Sequence, residues 1–330
     1  MDIPLFTRLH HEELIDDREF NNITIQKDKP VSVHWDLRTL LYLGIVLLTT
    51  AVGILIYKNI DTIGHETILI IIALVCVTCF GYCSKKAKGY TNKKSEAPNI
   101  WFDYVLLLGC LLLLTFTGYI QYEYNVFGNR WGLALFIPMV FLFTAAYYFD
   151  HLGVLSLAIT NLATWAGISV TPLRILKEND FNNTHVMFAG LLTGASLVAV
   201  SLLSQSKNIK AHFAFTYKNF GAHIAFISLL ALMFYFENIY LVWFMVLAVI
   251  SFLCFRNALK ESSFYFLVVT VLYAYIGLSY VVIRLFLMTG FDMGQVYLGI
   301  IYFIVSGIGL IRIFIHYNKI LKKNAGLQKN

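Results

Sequence analysis

Charged side chains are scarce in this sequence, where Asp, Glu, Lys and Arg make up 13% of 330 residues. A soluble domain carries about 25% charged residues, so this chain has too few to cover a globular surface against water. Hydrophobic residues make up 58% of it. These proportions exclude an ordinary soluble protein and predict a polytopic membrane protein.

Several functional motifs are also missing from the sequence. It contains no phosphate-binding glycine loop, no paired-histidine zinc helix and no nucleophile elbow. The alternating pattern of a transmembrane barrel is absent as well. The first 40 residues are polar and show no apolar leader, so we expect no cleavage there. We therefore predict a protein that is not an enzyme, binds no cofactor, metal or nucleic acid, and has membrane lipids as partners.

Cysteine is the one soft metal ligand that clusters in the sequence. All five cysteines lie in or at the ends of apolar runs, and Cys76, Cys79 and Cys83 fall on one helical face. A thiol metal site is one interpretation, but no histidine or carboxylate accompanies these residues in their run. We favour the other interpretation, in which they are small buried side chains.

Long apolar runs fill the rest of the chain, and each has the roughly 17 to 25 residues of a spanning helix. There are ten: Thr39–Tyr57, Thr67–Cys83, Tyr104–Ile120, Trp131–Phe149, Leu152–Val170, His185–Leu203, Phe220–Phe236, Ile239–Phe255, Ser263–Leu287 and Gln295–Ile315. The fold class predicted is an all-α transmembrane bundle of about ten spans over residues 37–318. Residues 1–36 read as a cytoplasmic segment with one or two short helices, and residues 319–330 as a cytoplasmic tail.

Lysine and arginine decide the predicted orientation, because cytoplasmic connections are enriched in both. With the N-terminus inside, inside segments hold 20 of the 25 Lys and Arg residues and outside segments hold five. The basic connection Lys85–Lys94 holds five of the inside residues and is interpreted as a topology anchor, and it could also bind acidic lipid headgroups. Both termini are therefore predicted to be cytoplasmic.

Polar residues within spans are costly in a membrane, so they are candidates for a substrate path. Asn161 could line such a path or bond neighbouring helices, and we favour helix bonding. Arg284 could extend to the headgroups or pair with Glu237, Glu123 or Asp292, which would create an outward vestibule attractive to anions. His223 we interpret as a packed polar residue rather than a ligand.

Only Asp150 and His151 separate the fourth run from the fifth, so these runs predict a helical hairpin. The carboxylate and imidazole could relay protons. A solvated turn that caps the fifth helix is the interpretation we favour. Pro138 is expected to kink the fourth helix, and Gly190-x-x-x-Gly194 predicts a smooth face for close packing of the sixth.

Three patches of the sequence are similar to the family of predicted membrane proteins DUF2157, and to its Bacteroidetes-type members in particular. They are the N-terminal piece Glu12–Ile23, the first span from Leu43 to Asp61, and Gly118-Tyr119-Ile120-Gln121-Tyr122 followed by Trp131. The resemblance covers about the first 170 residues. It implies a bacterial inner-membrane location and supplies no catalytic residues to carry over.

Two functions fit these observations. A small transporter or permease for a lipid or anionic solute is favoured by the many spans, the small extramembrane mass and the polar residues Asn161, Arg284, Glu237 and His223. A non-catalytic structural or regulatory subunit of a cell-envelope complex is the alternative, with other membrane proteins or a second copy of the chain as partners.

Overall fold

Helices account for all regular secondary structure in the described part of the chain. A computed structural model describes residues 7–10, 12, 15–16, 34–58, 64–87, 89–95, 98–170, 183–288 and 293–327. Its long helices are α1 (His34–Lys58), α2 (His65–Lys86), α3 (Ile100–Tyr124), α4 (Trp131–Phe149), α5 (Leu152–Val170), α6 (Thr184–Ser206), α7 (Ala214–Tyr235), α8 (Tyr240–Lys260), α9 (Phe264–Met288) and α10 (Met293–Leu327). The predicted all-α bundle is therefore confirmed.

The helices have the length and composition of membrane spans. Nine of them, α2 to α10, qualify by length and hydropathy within the described residues, and α1 adds a further apolar helix of 25 residues. Hydrocarbon provides no hydrogen-bond partners for the backbone, so each segment satisfies its own peptide groups as a helix. The chain is thus a multi-pass membrane protein.

The chain divides into two compact units, Met1–Ile68 and Leu69–Asn330. In the first, α1 covers the predicted run Thr39–Tyr57 and extends beyond both of its ends. Most of residues 1–33 lies outside the described ranges, so the short helices predicted there stay predictions. In the second, α10 continues helically to Leu327, beyond the predicted end of the bundle at residue 318. The domain limits at residues 36 and 318 remain predictions.

The connections of the second unit define two faces. We call the side that carries residues 150–151, 207–213, 261–263 and the described part of residues 87–99 the basic face. Lys93, Lys94, Lys207 and Lys210 lie in these connections. The side that carries residues 125–130 and 236–239 is called the opposite face.

In this unit, a hydrophobic core packs the five helices α3, α4, α5, α6 and α7 against one another. Leu106, Leu142, Leu155, Ile159 and Phe213 are completely buried in it. A second cluster packs α7 against α8 and α9 around Phe226, Leu229, Met233 and Leu247. Helices α4 to α7 are therefore the best packed part of the bundle, and they position the candidate site.

The four cysteines of α2 and α3 belong to the interface between these two helices. Cys76, Cys79, Cys83 and Cys110 are buried thiols, and Cys76 Sγ lies 3.5 Å from the carbonyl oxygen of Gly109. Within the described ranges, no three His, Cys, Asp or Glu side chains are grouped to hold a metal ion. The interpretation as small buried side chains agrees with this packing.

Glycines bring α6 and α7 into close contact. A Cβ atom on Gly194 would lie 2.6 Å from the backbone nitrogen of Ala225 and 2.8 Å from the carbonyl oxygen of Gly221. A Cβ on Gly190 would lie 2.4 Å from Ser228 Oγ. The predicted close-packing face of the sixth helix is confirmed, because only hydrogen fits where the backbones approach.

Substituting Gly194→Ala is expected to lower the stability of the detergent-solubilised protein by about 1–3 kcal/mol, since the added methyl group meets rigid backbone atoms. Gly81→Ala is the matched control, because a Cβ at Gly81 meets nothing within 4 Å. The control should be neutral or slightly stabilising. Thermal unfolding of both variants measures the difference, and equal midpoints would contradict the packing described here.

Candidate functional site

A buried carboxylate lies at the basic face, in the turn between α4 and α5. Asp150 caps the C-terminus of α4 in the left-handed region, with φ 57°, a conformation that Asp tolerates better than most residues. Its side chain is only 2% exposed. The residue is therefore held by specific partners and not by water.

Lys210 is the main partner of this carboxylate. Its Nζ lies 2.7 Å from Asp150 Oδ1, and its side chain has no exposed surface. The ammonium also faces the rings of Tyr90 and Phe213, at 5.4 and 5.7 Å from their centroids. Lys210 has a φ of 48°, so the backbone adopts a costly conformation to place this side chain.

Two more donors complete what we call the Asp150 cluster, defined as Asp150, Lys210, His212 and Ser95. His212 Nε2 lies 2.7 Å from Asp150 Oδ1, and the backbone N–H of Ser95 donates to Asp150 Oδ2 at 2.5 Å. Burial alone would raise the pKa of the Asp150 carboxyl, but hydrogen bonds from Lys210, Ser95 and His212 outweigh it, so this pKa lies below its ordinary value. The carboxylate is ionised at neutral pH.

The cluster joins three separate connections of the basic face. Ser95 belongs to residues 87–99, Asp150 to the α4–α5 turn, and Lys210 with His212 to the α6–α7 connection. The backbone N–H of Lys210 also donates to the carbonyl of Asn92 at 3.1 Å. Nearby, Tyr147 and Tyr217 share a hydrogen bond of 3.0 Å between their hydroxyl groups. The α4–α5 hairpin is thereby fixed to α6 and α7 at this end.

The favoured interpretation was a solvated turn that caps the fifth helix. It is wrong about the solvation of Asp150 and right about the cap, which His151 supplies. Asp150 is enclosed by protein donors instead of solvent. His151 supplies the cap of α5, because its Nδ1 accepts from the backbone N–H of Val154 at 3.1 Å. His151 Nε2 lies 3.7 Å from Asp103 Oδ1. The two side chains therefore have different partners, and a proton relay between them stays a prediction.

Asp150→Asn is expected to destabilise the folded protein by about 3–5 kcal/mol at neutral pH, because it leaves the buried Lys210 ammonium without its counter-charge. The lowered pKa gives the wild type a stabilising contribution that is complete above the ordinary Asp pKa of about 4. This contribution is lost as the pH falls through the lowered folded-state value.

Thermal unfolding between pH 3 and pH 7 tests this prediction. The difference between wild type and Asp150→Asn should shrink on acidification. Lys218→Gln is the control, because Lys218 pairs with Glu261, whose side chain is 38% exposed at the same face. A destabilisation as small as that of the control would mean that the cluster contributes little to the fold.

An apolar cleft lies between α3, α4 and α5, near the opposite face of the second unit. It has a volume of about 200 Å³. Its wall is formed by residues of α3, α4 and α5, chiefly Leu114, Gly118, Ala134, Pro138 and Ile168. We call it the α3–α4–α5 cleft. It lies at the other end of the hairpin from the Asp150 cluster.

The polar side chains in the wall of the cleft form hydrogen bonds to neighbouring groups of the protein. Gln121 is 1% exposed. Its Nε2 donates to Asn125 Oδ1 and to the carbonyl of Gly128, each at 3.0 Å, while its Oε1 accepts from the N–H of Phe127 at 2.9 Å. Thr117 donates to the carbonyl of Leu113 at 2.9 Å. Gln121 thus orders the connection at the cleft's end, and the cleft interior remains apolar.

A wider depression with a polar rim adjoins this cleft. It measures about 400 Å³ and shares Trp131 and Ile168 with the cleft. Asn129, Arg130 and Ser169 supply its polar atoms, and Trp165 its second indole. We call it the Arg130 mouth.

Asn161 bonds two helices and does not line the cleft. Its side chain is buried, and Nδ2 donates to the carbonyl of Leu135 at 3.0 Å. Leu135 lies in the turn of α4 that precedes Pro138. The contact agrees with the favoured interpretation, in which Asn161 joins neighbouring helices.

Asn161→Ala is expected to lower stability by about 1–2 kcal/mol, because the Leu135 carbonyl loses a donor in an apolar surrounding. Thr160→Ala is the control, since Thr160 is exposed and its hydroxyl bonds within α5, to the carbonyl of Ser156. Unfolding midpoints in detergent provide the measurement. An unchanged midpoint for Asn161→Ala would leave a substrate-path role as the better interpretation.

Arg284 forms an ion pair at the opposite face. Its guanidinium bonds to the Glu237 carboxylate, and its Nε donates to Tyr280 Oη at 3.0 Å. Glu237 is one of its predicted partners, whereas Asp292 lies outside the described residues. The paired charges offset each other, so this pair does not by itself attract anions. The vestibule predicted from Arg284 stays a prediction.

His223 belongs to a hydrogen-bond chain between α7 and α9. Tyr265 donates to Asn219 Oδ1 at 2.7 Å, so its oxygen accepts from His223 Nε2–H at 3.1 Å. Nδ1 of the neutral imidazole then accepts from the Tyr273 hydroxyl at 2.8 Å. These bonds fit the interpretation of His223 as a packed polar residue.

Sequence reasoning missed Lys210, His212 and Arg130 as site residues. Lys210 and Arg130 served only as topology markers there. The signal that could have found the first two was the topology itself, since it places the short α6–α7 connection on the same side as Asp150. Arg130 was visible as a cation directly before Trp131, but no sequence pattern shows that a cleft begins beside it.

The fold and these sites define the class as a polytopic helical membrane protein. The family model described as "Predicted membrane protein (DUF2157)" matches residues 7–155. The resemblance to this family that was stated from the sequence is thus confirmed over these residues. No curated protein and no solved structure matches the chain.

Proposed function

We propose that this protein is a small, non-enzymatic transporter or permease for a lipid or an anionic solute. The observation that carries the proposal is the asymmetry of the α4–α5 hairpin. Its basic-face end is closed by the Asp150 cluster, and its other end borders the open α3–α4–α5 cleft. A site that is open to one side and closed to the other is what alternating access requires.

The buried ion pair of the Asp150 cluster favours a reversible closure of the basic-face end. A buried ion pair contributes little net stability, because desolvation opposes its attraction, but it fixes one arrangement specifically. Three connections meet at one carboxylate here, so releasing it would break the contacts of Ser95, Lys210 and His212 together. Two discrete arrangements of such an element are what a transporter needs.

The location and orientation belong to the same proposal. Lysines concentrate on one face of the second unit, which supports a cytoplasmic position for that face. Both termini are then cytoplasmic and the Arg130 mouth faces outwards. We further propose that the membrane is the bacterial inner membrane.

A second candidate is a structural or regulatory subunit of an envelope complex. Helix α10 favours it, because no residue in the apolar window of its span Met293–Leu321 is buried inside the chain. It bonds to α9 through Tyr302 with Ser279 and through Ser306 with Tyr275. Phe314, Tyr317 and Leu321 also pack against α8 and α9. The rest of its surface is available to lipid, to another membrane protein or to a second copy.

Transport is tested in liposomes that contain the purified protein. One arm follows bleaching by dithionite of a fluorescent phosphatidylglycerol, and the other follows efflux of trapped inorganic phosphate. Wild type is expected to move one of the two faster than empty liposomes, and His212→Ala to change that rate several-fold because the closure is weakened.

His185→Ala is the matched control, since His185 is an exposed histidine at the start of α6, on the opposite face. It should keep the wild-type rate. If wild type moves neither compound, the transporter proposal is wrong and the subunit role takes its place. Equal rates in wild type and His212→Ala would show that the Asp150 cluster is not a closure.

A further inference from the structure

We propose that the α3–α4–α5 cleft and the Arg130 mouth together form one binding site for an anionic phospholipid, with the phosphate at Arg130 and one acyl chain in the cleft. This inference names the substrate class of the proposed transport site, and in that role it rests on the proposed function. Binding itself does not depend on transport.

The cleft selects an apolar occupant. In its wall, the hydroxyl of Thr117 and the amide of Gln121 already form hydrogen bonds to neighbouring groups of the protein. A small hydrated anion would lose its water there without gaining replacement bonds, which is costly. Cavities of about 150 Å³ with such walls stay dry and bind benzene-sized molecules. A cleft of about 200 Å³ has room for a segment of an acyl chain.

The mouth selects a negative charge. Arg130 is exposed, and among the described residues no acidic side chain lines the depression around it. Within the described residues, Arg130 has no carboxylate in ion-pair contact. Ser169 and Asn129 add polar groups beside it. Guanidinium is the cation best suited to a phosphate, because it offers several donors in one plane.

The depth of the site matches a lipid of one leaflet. The wall of the cleft runs from Gln121 to Leu114 on α3, which at 1.5 Å per residue is about 10 Å along the helix. Trp131 and Trp165 stand at the mouth, where indole rings occupy the headgroup zone. An anionic head at the membrane edge with a chain pointing inwards fits both parts. A neutral hydrocarbon would leave Arg130 unused, and a free anion would leave the cleft empty.

Photo-cross-linking tests the site with defined probes. Membranes containing the full-length protein receive phosphatidylglycerol or phosphatidylcholine, each with a diazirine in the acyl chain, and the labelled peptides are identified by mass spectrometry. We expect labelling at residues 114–138 or near Ile168, with phosphatidylglycerol favoured about tenfold.

Two variants separate the chain from the headgroup. Gly118→Leu fills the cleft and should reduce labelling by both lipids about tenfold, whereas Gly81→Leu is the control. At both glycines an added Cβ meets nothing within 4 Å. Arg130→Gln should abolish the preference for phosphatidylglycerol while labelling by phosphatidylcholine persists. Arg312→Gln, an exposed arginine of α10, should retain the preference.

Three results would overturn the proposal: equal labelling of wild type and Gly118→Leu, no preference between the lipids in wild type, or loss of labelling on addition of free inorganic phosphate, which would indicate a small-anion site. Because Arg130 is exposed, its variant decides the headgroup question even if Gly118→Leu does not fold. Specific labelling without translocation in liposomes would support this site and refute transport, so the two failures are distinguishable.

Discussion

The ion pair between Asp150 and Lys210 is the interaction on which the arrangement of the second unit depends. Both side chains are almost completely buried, so neither charge has water to stabilise it, and each is tolerable only beside the other. The pair therefore fixes where the α4–α5 turn stands against the α6–α7 connection. Ser95 and Asn92 attach residues 87–99 to the same two residues. One buried contact thus decides the geometry of three connections.

Close packing and open space alternate along the hairpin for physical reasons. On the α6–α7 side, Gly194 and Gly221 allow backbone contact that leaves no room for a methyl group, and this contact positions Lys210 and His212. On the α3 side, Gly118 faces empty space, and Pro138 interrupts the hydrogen bonding of α4. Small residues therefore produce opposite results, contact where two helices meet directly and a cleft where a third stands further away.

The polar residues within the spans illustrate how a membrane protein satisfies its side chains internally. Asn161 donates to the carbonyl of Leu135 on α4, Gln121 orders a connection, and Arg284 is paired with Glu237. Each of these side chains takes part in hydrogen bonds or an ion pair that lipid could not provide. Arg130 differs from these because no carboxylate within the described residues pairs with it, and this difference points to a ligand at the mouth.

The sequence by itself determined the all-α class, the positions of the spans, the glycine face of α6 and the family resemblance. Each of these follows from local composition and helical periodicity, which residues close in the chain decide. Only the tertiary structure decided that Asp150 is buried, that Lys210 and His212 are its partners, and that a cleft begins beside Arg130. Asp150 and Lys210 are 60 residues apart, and a cleft is a space left between three helices. Such features depend on which side chains of distant segments meet and on the space left between helices, and local sequence does not specify either.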